Sequence, residues 1–573
     1  MTGDIPAQVN PIPPDYNIGD QTLFHVVAMS PPGEAADIPP RALEIWATLQ
    51  LKTPHAYFYV QDGESFSQED LARAGERFEE EIYPTVTSTF GRERSPGIDN
   101  DPRITILHVR LEGAAGYFSD IDEHPKVVNP LSNEREMVYI DLPSLTPGSD
   151  IYTGIVAHEL QHLVDYNGDG NEELWVNEGL SEVAAGLVRI GSSMSDSFLQ
   201  QPDTQLNDWD PQGDNYAHYG AADLFLRYLI DRIGSTDHLL DLVLNQQNGM
   251  TSISAFLQRQ GLDIDFNGLF RDWVIANYLD DPDGGIYSYP DLDVSVPPTA
   301  LLSQAIGGED TVHQFAADYI EVELPSGGGT FTFDGTETVP ALANEAHSGH
   351  GQWWSARGDD IDTMLTREVD LSDLSSATLR FWTWFDIERW YDYGYVEVST
   401  DGGATWKILP GRHTTEDNPL RQAYGPGYTG KSGGGTESEW VEESIDLTPF
   451  AGQRVLLRFE YVTDAGVNAS GWAIDDISIP ELGLIDDAEQ DDGWQASGFQ
   501  RLTGPLSQRF LVQVIELGKE PQVKQISLDQ DNRATIDLKG SDGGPTKAVI
   551  VVAAITAGTT ETAKYEYSLN TAP

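Results

Sequence analysis

Cysteine is absent from the 573 residues of the chain. Its absence excludes disulfide bridges, thiolate metal sites and cysteine nucleophiles. Long apolar runs are absent as well, since no stretch approaches the roughly 18 residues that span a bilayer. The N-terminal residues show no basic region followed by an apolar one, so no signal peptide is visible. We therefore expect no membrane insertion, and any metal site must use His, Asp or Glu side chains.

Basic residues are also scarce. Lys and Arg total 33 against 93 Asp and Glu, which gives a formal net charge of −60. Such a surface repels phosphate backbones and anionic lipid, so nucleic-acid binding is not expected. The acidity is typical of an extracellular or salt-adapted protein, and it also supplies ligands for hard cations such as Ca²⁺. We expect a secreted or cell-surface protein whose export signal has been removed.

The N-terminal half predicts an extended segment and one α+β domain. Residues 1–40 are rich in proline and polar residues and are predicted to be extended. Residues 41–295 combine apolar runs typical of strands with a C-terminal part of helical periodicity, which indicates an α+β domain. The predicted strands are 56–60, 104–109 and 137–140. The first predicted helix is 67–83.

The C-terminal half has a sequence pattern typical of all-β structure. After about residue 310, alternating apolar residues are separated by Gly, Asp and Ser turns. This pattern predicts a jelly-roll-like β-sandwich over 310–482 and a small all-β domain over 483–573. The chain is thus predicted to be multidomain, with the α+β domain first and two β domains after it.

A His-Glu-x-x-His motif from His158 to His162 carries the functional prediction. Its surroundings have apolar residues at helical spacing, and histidines four apart lie about 40° around the axis and one turn along it. Both imidazoles can therefore reach one cation from the same side. Glu159 can then contact a water at that cation without being a ligand. The alternative interpretation is a helix that carries two histidines by chance.

A second predicted helix, 174–185, offers the remaining donors. Glu178 is the candidate third ligand, which leaves a fourth position open for water, as catalytic zinc sites require. Glu182 is the candidate acceptor for the second N–H of a ligating histidine. A His-Glu-x-x-His-x-x-Gly-x-x-His plan does not fit, because Asp165 and Gly168 occupy its last two positions. Asp165 is predicted either as another outer acceptor or as a simple charge at the helix end.

Two histidines on one helix and a glutamate on the next resemble the gluzincins, and residues 157–185 are most similar to hyicolysin-type secreted bacterial peptidases. The resemblance implies that residues 41–295 form a zincin-like catalytic domain and that the chain is a zinc peptidase with Glu159 as the general base. Zinc lowers the pKa of a bound water towards 7, which lets Glu159 take its proton. A Tyr or His is expected to stabilise the oxyanion. The candidates are Tyr216, His218 and Tyr219, and we favour Tyr219.

Residues 113–118 combine small residues with a short apolar stretch upstream of this motif. They are predicted either as an exposed strand that holds substrate backbone by β-augmentation or as an ordinary glycine-rich loop.

Residues 315–482 resemble the jelly-roll domain of immune inhibitor A-type metallopeptidases, which is similar to the MAM-type sandwich. The resemblance rests on segments around Trp353 and Trp354, 385–388, 398–406 and 471–477. It implies a Ca²⁺ ion bound by sandwich carboxylates, for which Asp359, Asp360 and Asp476 are the candidates. Aromatic side chains of this domain could instead contact glycans or protein substrates.

The sequence therefore predicts a secreted zinc endopeptidase that acts on protein or peptide, with Ca²⁺ as a second cofactor. The alternatives are a catalytically silent adhesin or glycan-binding protein built on a peptidase fold, and a hydrolase with a non-peptide substrate. Cleavage preference, oligomeric state and the role of the last domain cannot be read from the sequence. It also leaves open whether the first 40 residues are a pro-segment.

Overall fold

A computed structural model describes residues 5–28, 38–188, 194–209, 215–490, 493–518, 520–540 and 546–571. The helices and strands of the N-terminal half are β1 Gln21–Ala28, β2 Arg41–Lys52, β3 Ala56–Gln61, α1 Gln68–Arg77, α2 Tyr83–Thr89, β4 Ile104–Val109, β5 Gly116–Phe118, β6 Met137–Asp141, α3 Asp150–Gly168, α4 Leu174–Leu187, α5 Ser195–Gln200, α6 Tyr216–Ile233, α7 Leu239–Val243, α8 Gly249–Arg259 and α9 Phe266–Leu279.

The strands of the C-terminal half follow in the same numbering. They are β7 Ala300–Leu302, β8 Ile306–Val312, β9 Ala316–Leu324, β10 Gly329–Gly335, β11 Thr338–Val339, β12 Gln352–Trp354, β13 Asp362–Asp370, β14 Thr378–Ile387, β15 Tyr393–Ser399, β16 Lys407–Ile408, β17 Gly430–Lys431, β18 Val441–Asp446, β19 Arg454–Val462, β20 Gly471–Ile479, β21 Leu484–Asp486, β22 Gln495–Ser497, β23 Gln500–Leu502, β24 Leu506–Ser507, β25 Phe510–Leu517, β26 Gln522–Ile526, β27 Arg533–Leu538, β28 Thr546–Ala554 and β29 Ala563–Thr571.

The first sheet has the strand order β1-β2-β3-β4-β6-β5. Its centre is parallel, because β4 runs parallel to both β3 and β6, and the edge strand β5 is antiparallel to β6. All six residues of β4 are buried, as expected for a strand covered on both faces. The three predicted strands lie in this sheet. The sheet also includes β1, so part of the segment predicted to be extended over 1–40 is a paired strand.

Helix α3 is tied to this sheet through a buried contact. The hydroxyl of Tyr152 lies 2.8 Å from Nε2 of His108 in β4. The helix predicted over 67–83 is continuous in direction with α2 through a π-helical segment, Phe78–Ile82. Pro84 does not end it, because it lies in the first turn of α2, where its missing N–H is not needed. No described helix is long and apolar enough to cross a membrane.

The strand pairing differs from the predicted sandwich bounds of 310 and 482, because the two sandwich sheets are built from strands between β12 and β23. Strands β8 and β10 pair with β29, and β9 pairs with β28. Residues 300–335 therefore complete the sheets of residues 510–571, and one all-β domain is assembled from two separated parts of the chain. Alternation of apolar residues identifies strands but not their partners, which is why the sequence placed these parts in different domains.

The β-sandwich lies between these two parts. One of its sheets has the order β17-β14-β20-β12-β23, and the other has the order β16-β15-β19-β13-β22. The two sheets share one buried core, in which the rings of Phe381 and Phe459 meet edge to face at 5.1 Å. A separate core runs through the N-terminal domain and includes Phe315 and Tyr319 of the split all-β domain. These two domains are thus packed through a common core.

Candidate metal centre

Helix α3 presents the two histidines of the motif. It begins after Ser149, whose Oγ accepts a hydrogen bond from the N–H of Tyr152 at 3.3 Å, a regular N-cap. The Nε2 atoms of His158 and His162 are 3.1 Å apart, as the spacing of four residues predicts. Both imidazoles therefore face one point.

Helix α4 brings Glu178 to the same point. Its Oε2 atom lies 3.1 Å from Nε2 of His158 and 3.4 Å from Nε2 of His162. Ligands of a tetrahedral zinc ion at about 2.0–2.1 Å are about 3.3 Å apart. The three separations match that spacing. These residues form one of two groups of three or more metal-binding side chains among the described residues.

The surroundings of Glu178 Oε2 support the same interpretation. The atom is buried and accepts no hydrogen bond within the described chain, an arrangement that is costly without a partner. Burial alone would raise the pKa of Glu178, but the neighbouring His162 and His158 hold it well below its usual range. Burial would lower the pKa of His158, yet the Glu178 and Glu182 carboxylates raise it well above its usual value. Two histidine nitrogens and one glutamate oxygen form a donor set that is typical of catalytic zinc sites.

Second contacts orient both imidazoles. Nδ1 of His158 lies 3.3 Å from Oε1 of Glu182, at the position predicted for that carboxylate. Nδ1 of His162 hydrogen-bonds to Oδ1 of Asn177, whose Nδ2 donates to Oδ2 of Asp165. Asp165 therefore acts on His162 through Asn177 rather than directly. Sequence reasoning missed Asn177, although its place immediately before Glu178 is a usable signal.

Glu159 lies beside the edge strand β5. The residue is 5% exposed, and burial raises the pKa of its carboxyl group. A Cβ atom added to Gly116 in β5 would lie 2.9 Å from Oε1 of Glu159 and 2.9 Å from the carbonyl oxygen of Tyr139. The stretch 113–118 thus includes a short edge strand, and only a glycine fits between Glu159 and the neighbouring strand at this position.

Tyr219 is the oxyanion candidate that reaches the centre. Its hydroxyl donates to Oε1 of Glu178 at 3.3 Å, and the ring of Trp209 packs edge to face against it at 4.5 Å. Nδ1 of His218 is directed to the carbonyl oxygen of Gln205 at 3.1 Å. Tyr216 is 55% exposed on the outer side of α6. Of the three candidates, Tyr219 is therefore the one in contact with a predicted ligand.

The β-sandwich contacts helix α4 and the segment that precedes Trp209, whose ring packs against Tyr219. Oδ2 of Asp359 accepts the N–H of Leu174, the first residue of α4, at 3.0 Å. Arg357 hydrogen-bonds to Asp208, which directly precedes Trp209. Neither contact is visible in the sequence, because the paired residues are 185 and 149 positions apart.

The three calcium candidates do not share one location. Asp359 faces Leu174 and also accepts Nδ2 of Asn468 at 2.7 Å. Burial raises the pKa of Asp360 to about 7. Asp476 instead lies against Nδ1 of His347 at 2.6 Å, so it is held by a histidine in another part of the sandwich. Calcium binding by these carboxylates stays a prediction.

Comparison with known proteins finds similarity in the sandwich region of the chain. Residues 318–504 match the family model described as Immune inhibitor A-like, MAM domain. The pre-pro-metalloprotease PrtV of Vibrio cholerae serotype O1 (strain M66-2) is 36% identical over 159 residues, which are 27% of this chain and 16% of PrtV. Immune inhibitor A of Bacillus thuringiensis subsp. alesti is 29% identical over 155 residues, 26% of this chain and 21% of that protein.

Bacillopeptidase F of Bacillus subtilis (strain 168) is 29% identical over 113 residues, 20% of this chain and 6% of that protein. The chain thus covers less than a quarter of each of these three relatives, and the matches concern the sandwich region. The predicted resemblance of the sandwich to the immune inhibitor A-type domain is confirmed, whereas the gluzincin and hyicolysin resemblances stay predictions. Through its sandwich, the chain is related to families that include metallopeptidases.

Proposed function

We propose that the chain is a secreted zinc-dependent endopeptidase. The observation that carries this proposal is the convergence of His158 Nε2, His162 Nε2 and Glu178 Oε2 at separations of 3.1–3.4 Å. Support comes from the relatives named metalloproteases, which imply a metal ion. An extracellular location agrees with the net charge of −60, which favours solubility outside the cell.

The roles of the residues follow from their positions. A bound zinc ion would supply a Lewis acid and an acidified water. Glu159, which is buried and has a raised pKa, takes the proton of the attacking water and passes it to the leaving amine. The Tyr219 hydroxyl donates to the developing oxyanion. Asn177 and Glu182 fix the orientation of the two imidazoles, which keeps their Nε2 atoms free for the metal.

The edge strand β5 is the proposed substrate-binding element. Within the described sheet it pairs only with β6, so its other edge has backbone groups available to an extended peptide. Gly116 places that strand next to Glu159. A peptide paired with β5 would therefore pass over the general base. A protein or peptide substrate fits this arrangement better than a compact small molecule.

The presence of all three candidate zinc ligands and of the candidate base Glu159 favours a peptidase over the two alternative functions. A silent adhesin or glycan-binding protein has no need of His158, His162, Glu178 and Glu159 in one buried group, and such sites degrade readily when unused. A non-peptide hydrolase would use the same metal but gains nothing from a free strand edge. Glycan contact through the sandwich remains compatible with peptidase activity.

The proposal is tested with Glu159→Gln, which removes the base but preserves size. We expect casein hydrolysis to fall by about 10²–10⁴-fold, because that is the usual contribution of a general base. Metal analysis should find one zinc per chain in both proteins. Glu76→Gln is the matched control, since Glu76 is exposed in α1 of the same domain. Full activity of Glu159→Gln, or no zinc in the unaltered chain, would refute the proposal.

A further inference from the structure

The sandwich meets helix α4 at its N-terminus. Glu173, the N-cap residue, makes no capping hydrogen bond with its side chain, and its Oε2 instead accepts the indole N–H of Trp175 at 2.7 Å. The N–H of Leu174 donates to Oδ2 of Asp359 at 3.0 Å. A carboxylate is favourable at this end of a helix, because the first N–H groups have no partner within the helix. The sandwich therefore supplies part of the cap of α4, and Glu178 lies one turn further along.

Two other residues of the sandwich hold Asp359 in place. Its Oδ1 accepts Nδ2 of Asn468 at 2.7 Å, and Oδ1 of Asn468 accepts Nε of Arg357 at 2.8 Å. Asp359 is 7% exposed, and a buried carboxylate is costly without such partners. Burial raises its pKa, whereas Asn468, the N–H of Leu174 and the charge of Arg357 lower it. These contacts favour the charged form of the cap and fix its orientation.

Arg357 also reaches the segment that precedes α6. Its Nη2 forms an ion pair with Oδ1 of Asp208, and both side chains are largely buried. Trp209 follows Asp208 directly, and its ring packs edge to face against Tyr219 at 4.5 Å. The Tyr219 hydroxyl donates to Oε1 of Glu178 at 3.3 Å. One chain of sandwich contacts thus leads to the predicted third zinc ligand at one end and to the predicted oxyanion residue at the other.

Two loops of the sandwich carry these contacts. Arg357 and Asp359 lie between β12 and β13, and Asn468 lies between β19 and β20. Oγ1 of Thr463 donates to the carbonyl oxygen of Gly358 at 2.9 Å, which joins the two loops. A misplacement of about 1 Å at a reacting group can cost about 10²-fold in rate, so a joined support of this kind matters for catalysis.

We propose that the sandwich is a positioning element of the candidate zinc site and that it acts through Arg357, Asp359 and Asn468. Asp359 supports the third zinc ligand through α4, and Arg357 supports the oxyanion residue through Trp209. The consequence for catalysis rests on the proposed peptidase function, whereas the support of α4 does not depend on it. Removing either residue should therefore have a distinct effect.

Asp359→Ala removes the cap of α4. The zinc affinity of the full chain, measured by competition with a chromophoric chelator, should fall about tenfold, which is the lower end of the range for residues that orient metal ligands. Asp373→Ala is the matched control, because Asp373 is an exposed aspartate of the same domain. An unchanged zinc affinity in Asp359→Ala, or an equal loss in the control, would overturn the proposal.

Arg357→Gln removes the support of Trp209 but leaves the cap in place. We expect kcat per bound zinc to fall about tenfold or more with a peptide substrate, while zinc affinity changes by less than about twofold. A purely structural role would lower the amount of folded enzyme but not kcat per bound zinc, and that result would contradict the role of Arg357. If the unaltered chain binds zinc but hydrolyses no peptide, the proposed function fails, and zinc affinity still decides the role of Asp359.

An exchange of two side chains tests the contact itself. Asp359→Asn alone sets two amide NH₂ groups against each other, and Asn468→Asp alone sets two carboxylates against each other. The double variant again offers an acceptor to the N–H of Leu174, a donor between the two positions and an acceptor to Arg357. Its zinc affinity should return to within about threefold of that of the unaltered chain, while each single variant loses more. A double variant with the summed loss of the two single variants would contradict the network.

Hydrogen exchange measures the support of α4 without any catalytic assay. In zinc-loaded Asp359→Ala, amides of residues 172–180 should exchange faster than in the unaltered chain, whereas those of β14 should exchange at the same rate. The second peptide shows that the sandwich is folded. Unchanged exchange over 172–180 would overturn the proposal. Faster exchange in both peptides would overturn it as well, because Asp359 would then stabilise the sandwich rather than α4.

Discussion

Replacing Asn177 with alanine tests how the zinc centre is built. In the structure, Oδ1 of Asn177 hydrogen-bonds to Nδ1 of His162, and its Nδ2 donates to Asp165. The substitution therefore removes the group that fixes the ring and tautomer of His162. It also leaves the buried carboxyl group of Asp165, which is 1% exposed, without this donor. Because alanine favours helices, the helix itself should be retained.

The expected effect is a loss of zinc affinity. Removing a residue that orients a metal-bound histidine typically costs 10–100-fold in affinity, or about 1.4–2.7 kcal/mol. We expect the upper part of this range, because two hydrogen bonds are lost and one of them involves a buried carboxyl group. Ser181 can replace only one of the two lost contacts. Its Oγ lies 3.2 Å from Nδ1 of His162 and can accept that N–H, but its single hydrogen is donated to Gln161, so it cannot donate to Asp165.

The assay is competition for zinc with a chromophoric chelator of known affinity. Asn167→Ala is the matched control, because Asn167 lies at the end of the same helix α3 and its side chain donates to the carbonyl oxygen of Arg92 instead. Asn177→Asp should recover part of the lost affinity, since a carboxylate also accepts the His162 N–H, but it no longer donates to Asp165 and requires a proton between the two carboxyl groups. An unchanged zinc affinity in Asn177→Ala, or an equal loss in the control, would refute this account of the site.

Three further predictions follow from the described contacts. Gly116→Ala should lower kcat/KM by about 10²-fold, because the added Cβ would lie 2.9 Å from Oε1 of Glu159 and displace this base. Zinc should be retained, so steady-state kinetics are combined with metal analysis. Tyr219→Phe should lower kcat by about 10²-fold or more with little change in KM. Steady-state kinetics with a peptide substrate would measure both constants. A change confined to KM would contradict the oxyanion role. Burial raises the pKa of Asp318 from 3.8 to about 7, so the folded chain keeps a proton that the unfolded chain loses, and its stability should fall as the pH rises from about 4 to about 7. Asp318→Asn can still accept the hydrogen bond of the Tyr565 hydroxyl, and it should remove this loss of stability, which is at most about 4 kcal/mol. Thermal unfolding at pH 5 and pH 8 would detect the difference.

Much of the candidate site is local in the sequence. The spacing of His158 and His162 fixes their common face because helix geometry leaves no other arrangement. Glu178 follows on the next helix along the chain, so its convergence requires only that two neighbouring helices pack together. The apolar runs of β3, β4 and β6 are equally local, and the structure has them where the sequence predicts.

The partners of distant segments could not be predicted. Strands of residues 300–335 pair with strands beyond residue 510, and alternation of apolar residues carries no information about which strand lies next to which. For the same reason, the calcium candidates chosen from sequence motifs do not share partners in the structure, because Asp476 lies against His347 whereas Asp359 accepts the N–H of Leu174.

The sequence by itself determined the type of chemistry that we propose, because the predicted ligand pattern, its helical spacing and the lack of cysteine are properties of the chain before it folds. Only the tertiary structure decided what supports that chemistry. Asn177 behind His162, Gly116 beside Glu159 and the cap that Asp359 gives to α4 all depend on contacts between segments, and such contacts are set by packing rather than by local pattern.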